Sequence, residues 1–244
     1  MTRLLAKDRT TRRLRRIGPD SAGALMTPQE FDALRPEQFV GYNRYELING
    51  VLVVSPPGSD AEVDPNEYLG YLLRAYQETH PQGSSLDVTM PERTVPTTDQ
   101  RRRCDRAIWT GLGRLPDTSV DIPSIVVEFV SAGKRDRVRD YEAKRDEYLK
   151  AGVKEYWVVD RFQRVMTVYD SGNMEPSSRI ITETQDYRTD LLPGFVLPLG
   201  RLLARADRWK PRTKLKSKSG RRSVENPSES DPTNPPAGGN KTHG

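Results

Sequence analysis

The residues with the clearest potential for chemistry are two carboxylates. Glu128 stands inside the most apolar run of the chain, IPSIVVEFVS (122–131), and Asp105 is the second residue of CDRAIWT (104–110), which follows three arginines. A strand over the apolar run would bury both of its faces, because side chains alternate along a strand. An ionised Glu128 would then cost several kcal/mol unless a cation compensates its charge.

Two acids on neighbouring strands can converge on one divalent cation. Mg²⁺ in proteins binds one or two carboxylates and keeps its other positions for water and phosphate. Such an ion lowers the pKa of attacking water and neutralises charge on a transition-state phosphate. We therefore predict that Asp105 and Glu128 hold Mg²⁺ or Mn²⁺ and that the ion serves to cut a phosphodiester. A structural ion pair with an arginine is the alternative, because two acids on two strands form a weak motif.

A helix predicted over 135–152 would carry a third group. Tyr141, Lys144 and Tyr148 recur at the spacing of a helix face that packs against a sheet. Lys144 would then be a cation on the inward face, directly after the strand of Glu128, where it can position water or stabilise phosphate charge. Alternatively, its stem packs against the sheet and its ammonium reaches water.

The surrounding elements alternate between strands and helices. The sequence predicts a capped helix at 26–34, a hairpin turning at Asn49-Gly50, and a helix over 65–79 with Pro65 in its first turn. Strands are predicted at 84–95, 104–110, 122–131, 154–160 and 164–170, weaker strands over 179–195, and a last helix at 199–209. These elements predict one α/β domain over 24–209, a mixed β-sheet flanked by helices.

The net charge of +5 is unevenly distributed. Residues 1–20 carry seven Lys or Arg against two acids, and residues 210–244 carry eight against three. The remaining residues, 21–209, therefore have 24 bases and 29 acids. The predicted domain is thus acidic, and the basic excess lies in an arm (1–23) and in a tail rich in Pro, Gly and Ser (210–244). Both segments have the composition of solvated disorder. They could also hold nucleic-acid phosphates through counterion release.

Cysteine and histidine usage restricts the other classes of site. The single Cys104 excludes an intrachain disulfide and a cysteine-rich zinc site, and only His80 and His243 offer imidazoles. No apolar run approaches the roughly 20 residues that cross a bilayer, and the N-terminus lacks the apolar core of a signal peptide. These features predict a cytoplasmic protein without a membrane partner.

The order of several segments resembles that of a known family. The segments are YELINGVLVVSP (45–56), Asp105, VVEFVS (126–131), Lys144 and AGVKEYWVVD (151–160). Together they resemble the Uma2 family of endonucleases over about residues 26–200. The resemblance implies the restriction-endonuclease-like PD-(D/E)XK fold, in which a central hairpin of a mixed sheet carries the acids.

The resemblance also implies roles for individual residues. Asp105 resembles the acid of the PD element and Glu128 the acid of the (D/E)XK element. Val130 stands where that motif usually has its lysine, and the family resemblance places the lysine on the following helix, at Lys144. Glu46 resembles an additional acid near the metal, the alternative being an ordinary exposed glutamate of a hairpin.

Residues and resemblance together predict a Mg²⁺- or Mn²⁺-dependent endonuclease acting on DNA, with the basic arms supplying affinity for the backbone. The alternative is a catalytically inactive nucleic-acid-binding or regulatory protein on a nuclease-like scaffold. An interaction module that uses exposed strand edges is a third class, which no sequence feature favours. Cutting both strands symmetrically would favour a homodimer, although no sequence patch identifies its interface.

Overall fold

The computed structural model describes residues 16–133, 139–171 and 177–209, which all belong to one unit of the chain. Most of the predicted basic arm (1–15) and the whole tail (210–244) lie outside the described residues. Residues 16–23, which the sequence assigned to the arm, are part of the fold. Ile17 is buried, its backbone amide donates to the Gln38 carbonyl, and its carbonyl accepts from the Val40 amide. The Gly23 amide donates to the Leu52 carbonyl at 2.8 Å.

The described strands are β1 (Arg44–Ile48), β2 (Val51–Ser55), β3 (Leu86–Pro96), β4 (Arg101–Thr110), β5 (Ile125–Phe129), β6 (Glu155–Asp160), β7 (Val165–Asp170), β8 (Ser177–Thr182), β9 (Asp186–Tyr187) and β10 (Leu197–Pro198). The described α-helices are α1 (Pro28–Asp32), α2 (Asp60–Thr79), α3 (Lys144–Ala151) and α4 (Leu199–Asp207), and a π-helical turn (Arg139–Ala143) leads into α3.

One mixed sheet organises the fold. Its order is β2-β1-β4-β5-β6-β7-β8, and β3 pairs with β4 beside this path. The pair β5–β6 is parallel, and the connection between these strands contains α3. The other described pairs of this sheet are antiparallel. The short strands β9 and β10 form a separate ribbon.

Helices cover both faces of the sheet, and β5 contributes to both resulting cores. Ile125, Val127 and Phe129 belong to the cluster formed with α2 and α4, whereas Val126 and Val130 belong to the cluster beneath α3. The alternation predicted for a strand that is buried on both faces is therefore observed. Since Glu128 shares the parity of Val126 and Val130, its side chain belongs to the face that α3 covers.

Several local predictions are confirmed together with their chemistry. Asn49 and Gly50 both have positive φ, 49° and 74°, as a tight hairpin turn requires. The Thr27 amide donates to the Glu30 carboxylate at 2.8 Å, and the Thr27 hydroxyl accepts from the Glu30 amide at 3.2 Å. This capping box begins α1 where the sequence predicted a helix. Gly152 ends α3 with a φ of 103°.

Several boundaries differ from the prediction, among them the starts of α2 and β4. Helix α2 begins at Asp60, so Pro65 lies within it rather than in its first turn. Its start is fixed by the Ser59 amide, which donates to the Glu62 carboxylate at 3.1 Å. Strand β4 is longer than predicted and includes the basic run from Arg101.

Among the described helices, none has the length and apolar character needed to span a membrane.

Candidate active site

The candidate site lies where two strands part along one edge of β4. Strand β3 pairs with β4 from Arg101 to Thr110 and so occupies one edge over its whole length. The other edge is shared, because β1 meets β4 at Arg101 and β5 meets it from Arg106 to Ile108. Residues 102–105 lie between these two pairings. We call this stretch of β4 the fork.

Side chains meet the backbone of the fork where a strand would otherwise pair. The Arg103 amide donates to the Glu46 Oε1 at 3.1 Å, and the Arg103 carbonyl accepts from the Lys144 Nζ at 3.4 Å. In the reverse direction, the side chain of Asp105 in the fork contacts the backbone of β5, where its Oδ2 accepts from the Phe129 amide at 2.6 Å. Buried backbone groups need such partners. The fork thus draws Glu46, Asp105 and Lys144 together from three different elements.

Glu128 lies on β5, the strand that pairs with β4 beside Asp105. The pair Arg106–Val127 adjoins both acids, and the Phe129 amide, next to Glu128 in the chain, donates to the Asp105 carboxylate. The side chain of Glu128 is 3% exposed, and that of Lys144, whose Nζ donates to the Glu128 Oε1 at 2.8 Å, is 2% exposed. Lys144 therefore does not reach water, and the inward orientation predicted for it is observed.

Tyr148 completes the surroundings of Glu128 from the next turn of α3. Its hydroxyl lies 3.2 Å from the Glu128 Oε1. Burial raises the pKa of Tyr148 well above its usual value, and the negative charge of Glu128 raises it further. The hydroxyl accordingly stays protonated and donates to the carboxylate.

These contacts change the reason for expecting a metal. The apolar run suggested that a divalent cation compensates the buried Glu128, but Lys144 already supplies a cation at ion-pair distance. The burial of Glu128 alone therefore does not require a metal. What favours a metal is the second carboxylate, Asp105, on the neighbouring strand.

Arg44 is a residue of the candidate site that the sequence did not predict. Its Nη2 donates to the Asp105 Oδ1 at 2.6 Å, and its Nε lies 3.2 Å from the Glu92 Oε2. Burial alone would lower the pKa of Arg44, but the charges of Asp105, Glu128 and Glu92 outweigh burial and raise it. A signal was present in the sequence, because Arg44 stands two residues before Glu46 and so shares its strand face.

A second missed pair docks the helix that carries Lys144. The Arg102 Nε and Nη2 donate to the two carboxylate oxygens of Glu147 at 2.5 and 2.6 Å. The sequence reading placed Glu147 on the solvated face of the helix. Its position three residues after Lys144 puts both on adjacent turns of one face, which is the signal that could have identified it. The pair ties α3 to the fork.

The alternation of β4 breaks at Asp105. Cys104, Ala107 and Trp109 all belong to the cluster beneath α3, although strict alternation would place Cys104 opposite the other two. Irregularities of this kind re-aim side chains beside functional sites. Asn66 of α2 secures the irregular backbone, because its Nδ2 donates to the Asp105 carbonyl at 2.8 Å.

The donor set matches part of what a hard divalent cation needs. Asp105 and Glu128 offer carboxylate oxygens from adjacent strands, and Mg²⁺ accepts two carboxylates with water and phosphate as its remaining ligands. Among the residues that the structure describes, no group of three or more Asp, Glu, His or Cys side chains is arranged to hold a metal. Glu46 is buried, so it is not an exposed hairpin glutamate, yet it does not complete a three-carboxylate group.

Comparisons with known proteins identify relatives of the chain. The Uma2 family, described as "Putative restriction endonuclease", matches residues 28–200. A crystal structure of a "putative nuclease belonging to DUF820" from Anabaena variabilis ATCC 29413 is similar, with a TM-score of 0.58 and 13% sequence identity. The similarity covers 74% of this chain and 99% of that chain, and the two share the mixed-sheet fold expected of restriction-endonuclease-like proteins. No curated protein matches the sequence.

Proposed function

Because the chain belongs to the Uma2 family of "Putative restriction endonuclease" proteins, we propose that it is a metal-dependent endonuclease that hydrolyses phosphodiester bonds in DNA. Asp105 and Glu128 are the proposed ligands of Mg²⁺ or Mn²⁺. Lys144 and Glu46 are the proposed assisting residues.

The observation that carries the proposal is a pair of buried carboxylates on adjacent strands, with an ammonium beside one of them. Asp105 and Glu128 each adjoin the Arg106–Val127 pair of β4 and β5, and Lys144 lies 2.8 Å from Glu128. A sheet that needed only packing would place apolar side chains here, since burying charged groups costs free energy even when they are paired. Retaining two acids and a lysine at this place favours chemistry over stability.

The roles of the individual residues follow from their contacts. A divalent cation held by Asp105 and Glu128 would supply an acidified water and charge neutralisation at the phosphate. Lys144 is held by two acceptors, Glu128 and the Arg103 carbonyl, so its ammonium has a fixed place from which to orient water or stabilise phosphate charge. Glu46 holds the Arg103 amide and thereby keeps the fork open between β1 and β5.

The substrate is proposed from charge and family. The segment between the arms has more acids than bases, so the basic residues of 1–20 and 210–244 are the proposed source of general affinity for the DNA backbone. A homodimer is the simplest arrangement for cutting both strands, because each chain offers one proposed pair of metal-binding acids, Asp105 and Glu128.

One observation favours the alternative of a catalytically inactive nucleic-acid-binding scaffold. Both acids have cationic side chains as partners, Asp105 with Arg44 at 2.6 Å and Glu128 with Lys144 at 2.8 Å. Charges that are balanced by protein side chains are stable without a metal. This alternative predicts binding of nucleic acid without cleavage.

The experiment that tests the proposal is cleavage of supercoiled plasmid by the full chain with Mg²⁺, with Mn²⁺, or with EDTA. Asp105→Asn and Glu128→Gln are the site variants, and Glu142→Gln is the control, because Glu142 is exposed on the π-helical turn before Lys144. We expect cleavage with metal and none with EDTA. Each site variant should cleave roughly 100-fold more slowly or worse, as for the loss of one transition-state-stabilising group, whereas the control should cleave normally.

The opposite results are equally informative. Cleavage in EDTA, or normal cleavage by either site variant, would contradict the assignment of the two acids. Absence of cleavage by well-folded protein on duplex DNA, single-stranded DNA and RNA would favour the inactive scaffold.

A further inference from the structure

A cleft opens beside the fork and reaches the candidate site through Arg44. Its volume is about 650 Å³. Aromatic side chains of the N-terminal segment and β1 line one part of it, namely Phe31, Phe39, Tyr42 and Tyr45. The charged residues in its lining are Asp32, Arg44, Glu92 and Arg103. Since Arg44 also contacts Asp105, an anion bound in this cleft lies one side chain away from the proposed catalytic acids.

Two guanidinium groups of the cleft converge on one carboxylate oxygen. The Glu92 Oε2 lies 2.7 Å from the Arg103 Nε and 3.2 Å from the Arg44 Nε. The side chains of Arg103 and Glu92 are 30% and 34% exposed and that of Arg44 is 16% exposed, so the first two face solvent and Arg44 lies deeper. Paired guanidinium groups are a preferred receptor for phosphate, which offers them two non-bridging oxygens with a shared negative charge.

The backbone of Glu92 is unusual for its residue type. Its φ is 52°, in the left-handed region that non-glycine residues seldom adopt. The pairing of β3 with β4 holds on either side of it, at Pro91–Arg106 and Arg93–Cys104, and omits Glu92 itself. Such outliers cost free energy and persist where the surrounding structure enforces them, often at functional sites. Here the irregular residue is the one that places a carboxylate between two cleft arginines.

We propose that Arg44 and Arg103 form a binding site for a backbone phosphate of nucleic acid, and that Glu92 occupies this site until the phosphate displaces it. The inference rests on the proposed function, since it takes nucleic acid as the ligand of the cleft. Glu92 carries the charge of a phosphodiester and engages the same guanidinium groups, so it competes with the ligand. Removing Arg103 must then weaken binding, while removing the charge of Glu92 must strengthen it.

The test is binding of a short fluorescein-labelled DNA duplex to the full chain, followed by fluorescence anisotropy in EDTA over a series of salt concentrations. Arg103→Gln and Glu92→Gln are the variants. Arg114→Gln is the control, because Arg114 is an exposed arginine that pairs with Asp121 away from the cleft. Thermal unfolding of each variant checks that the fold is retained. EDTA removes cleavage from the measurement, so binding is read separately from catalysis.

The expected shifts have opposite signs. Arg103→Gln should weaken binding about tenfold and lower the slope of log K against log salt by about 1, as expected for one lost phosphate contact. Glu92→Gln should tighten binding several-fold, and Arg114→Gln should leave the affinity and the slope unchanged. If the variants act only through a general loss of surface charge, Arg103→Gln and Arg114→Gln should weaken DNA binding equally. That result would overturn the proposed phosphate site. Weaker or unchanged binding by Glu92→Gln would overturn the competition.

Failure of this inference differs from failure of the proposed function. If the two variants shift DNA affinity in opposite directions but the protein cleaves no substrate, the phosphate site stands and the endonuclease proposal is contradicted. Metal-dependent cleavage without these shifts would keep the endonuclease and contradict the phosphate site.

Discussion

The pairing of Lys144 with Glu128 predicts a loss of stability that depends on pH. In Lys144→Met the apolar stem is kept, but Glu128 stays buried and loses the ion pair that Lys144 provides. The variant can avoid burying this charge without Lys144 by protonating Glu128. Protonating a glutamate with the ordinary pKa of about 4.3 costs about 1.36 kcal/mol per pH unit above that value. The free energy of unfolding should therefore fall by up to ~3.7 kcal/mol at pH 7 and ~1 kcal/mol at pH 5.

The sign of this dependence follows from the linkage between protons and folding. In the variant the folded state holds Glu128 protonated at a pH where the unfolded state has released that proton. The folded state then binds more protons, so stability falls as the pH rises above about 4.3. The wild type lacks this loss, because Lys144 stabilises the charged carboxylate in the folded state.

The assay is urea unfolding at pH 5 and pH 7, followed by the fluorescence of the buried Trp109 and Trp157. Lys150→Met is the matched control, because Lys150 lies on the same helix with an exposed side chain. The double variant Glu128→Gln, Lys144→Met should recover part of the loss at pH 7, since it removes the buried charge that Lys144 balances in the wild type. A loss below about 0.5 kcal/mol at pH 7, or an equal loss at both pH values, would refute the reasoning.

Two further predictions concern packing and alkaline pH. Gly70→Ala should lower the free energy of unfolding by about 1–3 kcal/mol and the urea midpoint with it, because a Cβ at Gly70 would lie 2.6 Å from the buried Arg106 guanidinium. An unchanged midpoint would contradict this close approach. Burial raises the pKa of Tyr148, so the stability that its hydroxyl contributes is complete below the unfolded value of about 10 and is lost at higher pH. Urea midpoints of Tyr148→Phe should accordingly fall less between pH 9 and pH 11 than those of the wild type, and parallel curves would count against this explanation.

Much of the fold was predictable because its signals are local. Asn49-Gly50 sets its hairpin through positive φ at two adjacent residues, and Thr27 begins its helix through hydrogen bonds within one turn. The inward position of Lys144 was predictable for the same reason, because helical spacing decides which face it occupies. The placement of Asp105 and Glu128 on adjacent strands was predictable as well, because the two strands follow each other along the chain.

The remaining features depend on which distant segments become neighbours. The fork exists because β1 and β5 share one edge of β4, and no local pattern specifies that arrangement. The partnership of Arg44 with Asp105 follows from it and was missed. The predicted strand began at Cys104, whereas β4 includes the three arginines before it. In the fold each has an acid from another element, Arg101 with Asp32 at 2.7 Å and Arg102 with Glu147 at 2.5 Å.

The central claim is that Asp105 and Glu128 hold a catalytic divalent cation, and metal binding tests it without any assumption about the substrate. The measurement is titration of the full chain with Mn²⁺, with the unbound ion quantified by electron paramagnetic resonance. We predict that the wild type and Glu142→Gln each bind about one Mn²⁺ per chain at this site and that Asp105→Asn loses it. Equal binding of Mn²⁺ by the wild type and Asp105→Asn would contradict the account.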